Sequence, residues 1–199
     1  MSWRVKILQY IEEQNIYDQF RMDEPWDSEH NLKLVEKMPT IYYSPGSMGP
    51  MDRTNYLGVG GEDGVFRADG KATSIAMMRD GTSNTAMVVE VDDKAAVIWT
   101  KPDDFDPADG MKPNHDLGGI WRGAVFLTCF GDGSVHAIHR DVAPDTLKAI
   151  FTKSGGEVVG WRDLEGPAHG DDAADEVGEV PREIAPDEEA APEEFEAVP

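Results

Sequence analysis

Carboxylates are the residues of this chain that most invite a chemical reading. "DDFDPADG" (103–110) sets Asp103, Asp104, Asp106 and Asp109 within one loop. Hard oxygen ligands at such short spacing suit calcium. An EF-hand count from Asp104, however, puts Ala108 at the fifth position and His115 at the twelfth, so that motif fails and a solvated acidic loop is the competing reading. A second carboxylate, Asp132 in "FGDGSVHAI" (130–138), lies between two glycines and two apolar runs. Asp-Gly is a strong hairpin signal, so Asp132 reads first as a turn residue with Gly133 at positive φ, and only second as a metal ligand. His136 and His139 follow, but residues three apart on a strand point to opposite faces and do not share one ion.

Other chemistry has weaker support. "GVGGEDG" (58–64) carries glycines with no helical pattern after them, which speaks against a phosphate cradle. Ser83 in "DGTSNT" (80–85) has no histidine near it in sequence, and such a stretch after Asp-Gly is more naturally a turn that bonds its own backbone. A hydrolase would need two acids in separated environments, and no such pair can be singled out. Trp26, Trp99, Trp121 and Trp161 are either core residues or an exposed platform for glycans.

These residues need elements to position them. The 199-residue chain is long enough for one domain with a real core. Its net charge is −21, and residues 166–199 hold twelve acidic side chains and one basic, which leaves −10 for residues 1–165. We read a folded part over 1–164 and a disordered acidic tail over 165–199, whose apolar content is too low to offset its ordering entropy. An acidic body repels phosphate backbones, which excludes nucleic acid as a partner. Cys129 is alone, so no internal disulfide forms. No apolar run approaches the roughly 18 residues of a membrane span, and the chain as written makes no membrane contact.

"SWRVKILQYIEEQNIYDQF" (2–20) has Trp3, Ile7, Tyr10, Ile11 and Tyr17 at three- and four-residue steps, which predicts a helix. Pro25 breaks it. Asp27 or Ser28 caps a second helix that carries Leu32, Val35 and Met38 inward and stops before Pro39. Beyond a glycine- and proline-rich loop, "RTNYLGVGG", "TAMVVEV" and "AAVIWT" read as strands, the last two joined by a hairpin at "VDDKA" with Asp92 and Asp93 in the turn. "GAVFLTCF" is apolar on both faces and reads as a central, covered strand. "APDTLKAIFTKSGG" reads as a helix with Pro144 at its first turn and a Leu147, Ile150, Phe151 stripe, and "EVVGW" as a closing strand. Grouped strands favour an α+β fold with an antiparallel sheet, including 85–91, 95–99, 123–130 and 134–139.

"DGTSNT", "DEPWDSEHN" (23–31), "WTKPDD" (99–104) and "FGDGSVHAI" followed by "TLKAIFTKSGGE" together resemble the planctomycete family of prepilin-like proteins with the H-X9-DG signature, domain of unknown function 1559, from Ser2 to about Val159. The resemblance implies a pilin-like fold similar to type II secretion pseudopilins, with an N-terminal helix packed on an antiparallel sheet. It also implies a non-enzymatic structural or interaction module of the cell envelope with pilin-like subunits as partners. Asp80, Gly81, Thr82, Asn84, Asp132 and Gly133 are the matching motif positions. Some pseudopilins bind calcium near the sheet, which keeps the 103–109 aspartates in view; otherwise no cofactor is expected. Two departures stand out. The family's cleavage motif and membrane helix are absent, so envelope localisation follows from the resemblance and a cytoplasmic one from Met1 taken as the true start. Arg122 also stands where the signature has its histidine, which weakens a metal site there. The alternative function is a carbohydrate- or small-solute-binding module, resting on the tryptophans and acidic loops.

Overall fold

Short runs rich in β-branched and aromatic residues build two antiparallel sheets. The computed structural model describes residues 1–67, 70–107, 117–118 and 123–165. Asp109, Trp121, Arg122 and the acidic tail, with the expectations attached to them, lie outside the described residues. In chain order the elements are helices α1 (Trp3–Lys6), α2 (Gln14–Tyr17) and α3 (Glu29–Leu32), strands β1 (Arg53–Thr54), β2 (Tyr56–Gly58), β3 (Ala86–Glu90), β4 (Val97–Ile98), β5 (Val125–Phe130) and β6 (Val135–His139), then helices α4 (Pro144–Phe151) and α5 (Trp161–Leu164). The larger sheet has the order β2-β3-β5-β6, and β1 pairs with β4 in a separate two-stranded ribbon. All these pairs are antiparallel. The α+β class read from the grouped strands is the class the structure has.

Two apolar clusters hold these elements. In the first, Leu57, Val89, Phe126, Phe130 and Ile138 from one face of the sheet meet Leu147, Ile150 and Phe151 of α4. Pro144 opens that helix, where a missing N–H costs nothing, and the stripe at three- and four-residue spacing turns inward as its spacing dictates. Each such fully buried side chain contributes about 1.5–3 kcal/mol. The second cluster surrounds Trp99, which is fully buried, and takes in Val5, Leu8, Phe20, Leu34, Val35 and Tyr42. The indole N–H of Trp99 donates to the Val35 carbonyl (2.9 Å), so the polar end of this ring is satisfied inside the cluster.

Several local expectations are corrected. Residues 2–20 are not one helix: α1, a 3-10 turn over Leu8–Tyr10 and α2 are separated, and Glu12 adopts φ 65°. The segment must wrap round Trp99, so Val5 and Leu8 are buried while Tyr10 is 78% exposed. Ile7, Ile11 and Tyr17 pack, half-buried, on this second cluster rather than on the four-stranded sheet. Packing overrides periodicity because helices this short have little stability of their own. The second helix has its cap at Ser28, whose hydroxyl accepts from the Asn31 N–H (3.1 Å), but it ends at Leu32, which is exposed, and Leu34 and Val35 supply the buried contacts.

"VDDKA" is not a hairpin, because β3 pairs with β2 and β5 whereas β4 pairs with β1. Asp92 still makes the turn, accepting from the N–H groups of Lys94 (2.9 Å) and Ala95 (3.0 Å). "EVVGW" forms no strand; residues 156–160 are irregular and lead into α5. β5 is central as expected but covered on one face only. Phe126, Thr128 and Phe130 are buried, while Leu127 on the other face is 37% exposed.

The β5–β6 connection is a hairpin. Phe130 and Ser134 are joined by the Phe130 N–H to the Ser134 carbonyl (2.9 Å), and Gly133 N–H donates back to the Phe130 carbonyl (2.9 Å). The loop therefore has three residues rather than two, with only Gly133 of the Asp-Gly pair at positive φ (85°). A Cβ on Gly133 would meet no atom within 4 Å, so backbone strain alone opposes a side chain there. Gly133→Val should cost about 1–2 kcal/mol in chemical denaturation; an unchanged midpoint would show that the turn does not need its left-handed residue.

Candidate functional site

Several of the described residues that looked chemical are brought into internal bonds, and the most heavily bonded of them is Asp104. One oxygen, Oδ1, accepts from the Trp3 indole N–H (2.9 Å), the Arg4 Nη2 (3.0 Å) and the Gly58 N–H (2.9 Å). Arg4 has no exposed side chain. Its Nε donates to the Tyr56 carbonyl (2.9 Å) and its Nη1 to the Ser2 hydroxyl (3.0 Å), and its guanidinium lies 4.8 Å from the centre of the Trp3 ring. Burial lowers the Arg4 pKa and raises that of Asp104, in each case against the pull of the partner charge. Desolvation opposes the charged form on both sides, so the two groups stay buried only while their hydrogen bonds and each other's charge are in place.

The other aspartates of the 103–109 loop do not join it in a described cation site. Asp103 pairs with Lys101 (2.7 Å). Asp106 stands over Gly61, where a Cβ would come within 2.6 Å of its carboxylate. Asp109 lies outside the described residues. Among the described residues no group of three His, Cys, Asp or Glu converges as a metal would require.

The "DGTSNT" motif works through its first residue. Asp80 is buried, and its two oxygens accept from the successive N–H groups of Gly155 (2.7 Å) and Gly156 (2.9 Å). Gly156 has φ 90°, the left-handed conformation that lets two adjacent amides face one carboxylate. Asn84 donates to the Asp80 carbonyl (2.9 Å) and Thr85 to that of Gly81 (3.0 Å), so the turn bonds its own backbone, as its composition suggested. Gly81 sits at φ 96°, and the Thr82 backbone packs where Gly131 leaves room for it.

Next to that turn, Lys153 is buried and sends its ammonium to the carbonyls of Glu62 and Gly64 (3.0 Å). The glycine-rich 58–64 loop is therefore a cradle of the opposite polarity to a phosphate site: it offers carbonyls, and a lysine fills it. Neither Arg4 nor Lys153 stood out in the sequence. A lone basic residue among apolar neighbours has no local signature when its partners lie about a hundred positions away.

Asp132 accepts from the N–H (2.9 Å) and hydroxyl (2.7 Å) of Ser134, which holds its carboxyl below the usual range, and the residue is exposed. It is a turn residue. His136 and His139 do lie on opposite faces: His136 stacks on Trp161 (3.9 Å between ring centres), while His139 is buried. The tryptophans fit neither simple alternative. Trp99 is core, Trp161 is 43% exposed and Trp26 is half-buried. Trp3, not among the candidates, packs at 5.2 Å on Phe66 and lines a cleft of about 600 Å³ with Lys6, Arg67 and Asp106.

Asp93 shows the same pattern of use. It accepts from the Ser47 hydroxyl (2.6 Å), the Met48 N–H (2.9 Å) and the Asn55 amide (3.0 Å), pinning the 44–51 loop to the chain after β3. The Ser47 bond foremost holds its carboxyl below the usual range.

A family model described as a protein of unknown function (DUF1559) matches residues 1–120. The matched span includes Arg4, Asp80 and Asp104 and stops short of β5. No curated protein and no solved structure matches the chain.

Two outcomes follow from this geometry. Removing one partner of the buried pair, as in Arg4→Met, should cost about 3–5 kcal/mol, while Arg4→Met with Asp104→Leu should recover part of that loss; a double variant no better than the single one would reject the pairing argument. Because the Asp93 pKa is depressed on folding, its stabilisation is fully present above the unfolded value near about 4 and is lost as pH falls through the lower folded value. Melting temperature should therefore fall more steeply in acid for the parent than for Asp93→Asn, and parallel curves would show that the three donors do not favour the ionised form.

Proposed function

The chain belongs to the DUF1559 family, and from that membership we propose a non-enzymatic, pseudopilin-like structural or interaction module of the cell envelope, linked to type II secretion or pilus-type assembly. One observation supports the reading. Arg4, Asp80, Asp104, Asp132 and Lys153, the residues with charge and position suited to chemistry, each bond the protein's own backbone or side chains. A residue used in this way fixes shape, and a fixed shape is what an assembly subunit offers its neighbours. The partners are proteins, pilin-like subunits among them, and the module works without a cofactor.

A second reading, a carbohydrate- or small-solute-binding module, is favoured by the cleft beside Trp3 and Phe66. It has the size of a small-ligand site, with an aromatic wall and charged groups at hand. A panel of neutral and acidic monosaccharides distinguishes the two: this reading expects at least one sugar to raise the melting temperature of the parent by mass action, and none doing so removes it.

For the first reading the measurement is fractionation of native cells. The chain should be recovered with the envelope, and recovery free in the cytoplasm would reject the module as proposed.

A further inference from the structure

β6 lies at one end of the sheet order β2-β3-β5-β6, and among the described residues nothing pairs with its outer side. The bonds that frame it, Phe130 N–H to Ser134 carbonyl and Arg140 N–H to Ala124 carbonyl, fix which of its groups face outward. In this register Ser134, His136, Ile138 and Arg140 face β5 with their backbone polar groups, and the N–H and C=O of Val135 and Ala137 point away from it. Within the described residues the edge lacks three of the usual protections. Val135–His139 contains no proline and no lysine, its register with β5 runs without a bulge, and Val135 is 60% exposed with Ala137 exposed beside it. Val135 and Ala137 share a face with their register partners Cys129 and Leu127, so small apolar side chains already form rows that a further strand would continue.

Charge selects the occupant. The chain carries −21, and exposed Asp132 and Asp141 stand beyond the two ends of the strand. Two copies of so acidic a chain repel one another, whereas a cationic segment is drawn in. We propose that the outer edge of β6 receives an extended, lysine- or arginine-bearing segment of a partner protein, added as a fifth strand through the backbone groups of Val135 and Ala137. The proposal rests on the interaction-module reading and gives that module its docking edge.

The test pans a displayed library of random short peptides on the full chain and compares the enriched peptides on the parent and on Ala137→Pro. That proline removes only an outward N–H, a position where edge strands tolerate it. Ala137→Lys keeps the backbone and sets a like charge against the incoming strand, and it carries the test should the proline variant fail to fold. The enriched peptides should alternate β-branched residues, carry Lys or Arg, and bind both variants about tenfold more weakly. Their binding to the parent should also weaken as salt rises from about 0.05 to about 0.5 M. The proposal is overturned by the absence of enrichment, by neutral or acidic peptides, by binding unchanged in both variants, or by self-pairing of the parent that both variants abolish. None of these results bears on envelope recovery, so the docking edge and the module reading fail separately.

Discussion

The hydrogen bonds that converge on the Asp104 carboxylate are the constraint on which the rest of the structure depends. Arg4 could not be buried without them, since an uncompensated guanidinium inside a protein costs several kcal/mol. With Arg4 in place, its Nε caps the Tyr56 carbonyl and Asp104 caps the Gly58 amide, so both ends of β2 are satisfied on the side away from β3. The backbone near Arg4 is held as well: Ser2 N–H donates to the Thr100 carbonyl (3.1 Å) and Tyr42 donates to the Arg4 carbonyl (2.8 Å). Residues 2–4, β2 and the loop after β4 thereby become one rigid corner, and Trp99 sits beside it in the cluster that the first turn of the chain completes.

The same economy recurs elsewhere. Asp80 with the Gly155–Gly156 amides, and Lys153 with the 62–64 carbonyls, are local charges placed against oriented backbone dipoles. Each joins a loop to a distant segment without using another side chain. The family match covers Asp80 but ends before the glycines that Asp80 holds. The motif within the matched span is therefore completed by residues outside it, and the two parts of the folded chain cannot be considered apart.

What was legible in the sequence was what depends on near neighbours. β3, β5, β6 and α4 follow from apolar runs, β-branching and the placement of Pro144; the Ser28 cap and the Asp132–Gly133 turn follow from side-chain chemistry within a few residues. What was not legible depends on partners far along the chain. The helical period of residues 2–20 gave no sign that the segment would bend round Trp99. Asp93 looked like turn chemistry because its partners, Ser47 and Asn55, precede it by about forty residues. The acidic loop looked like a cation site for the same reason: the cation that Asp104 holds is Arg4, 100 residues before it.

That separation has a consequence during synthesis. Arg4 and Asp104 are 100 residues apart, and Trp99 trails Val5 and Leu8 by a similar stretch. At about 5–20 residues per second, the first turn of the chain waits on the order of 5–20 s outside the ribosome for the groups that bury it. Through that interval Val5, Leu8 and Phe20 are exposed with neither their tryptophan nor a neutralised arginine to pack on. The nascent chain thus holds a short apolar segment open until residues 99–104 emerge, and only then can the corner that makes the finished fold rigid close.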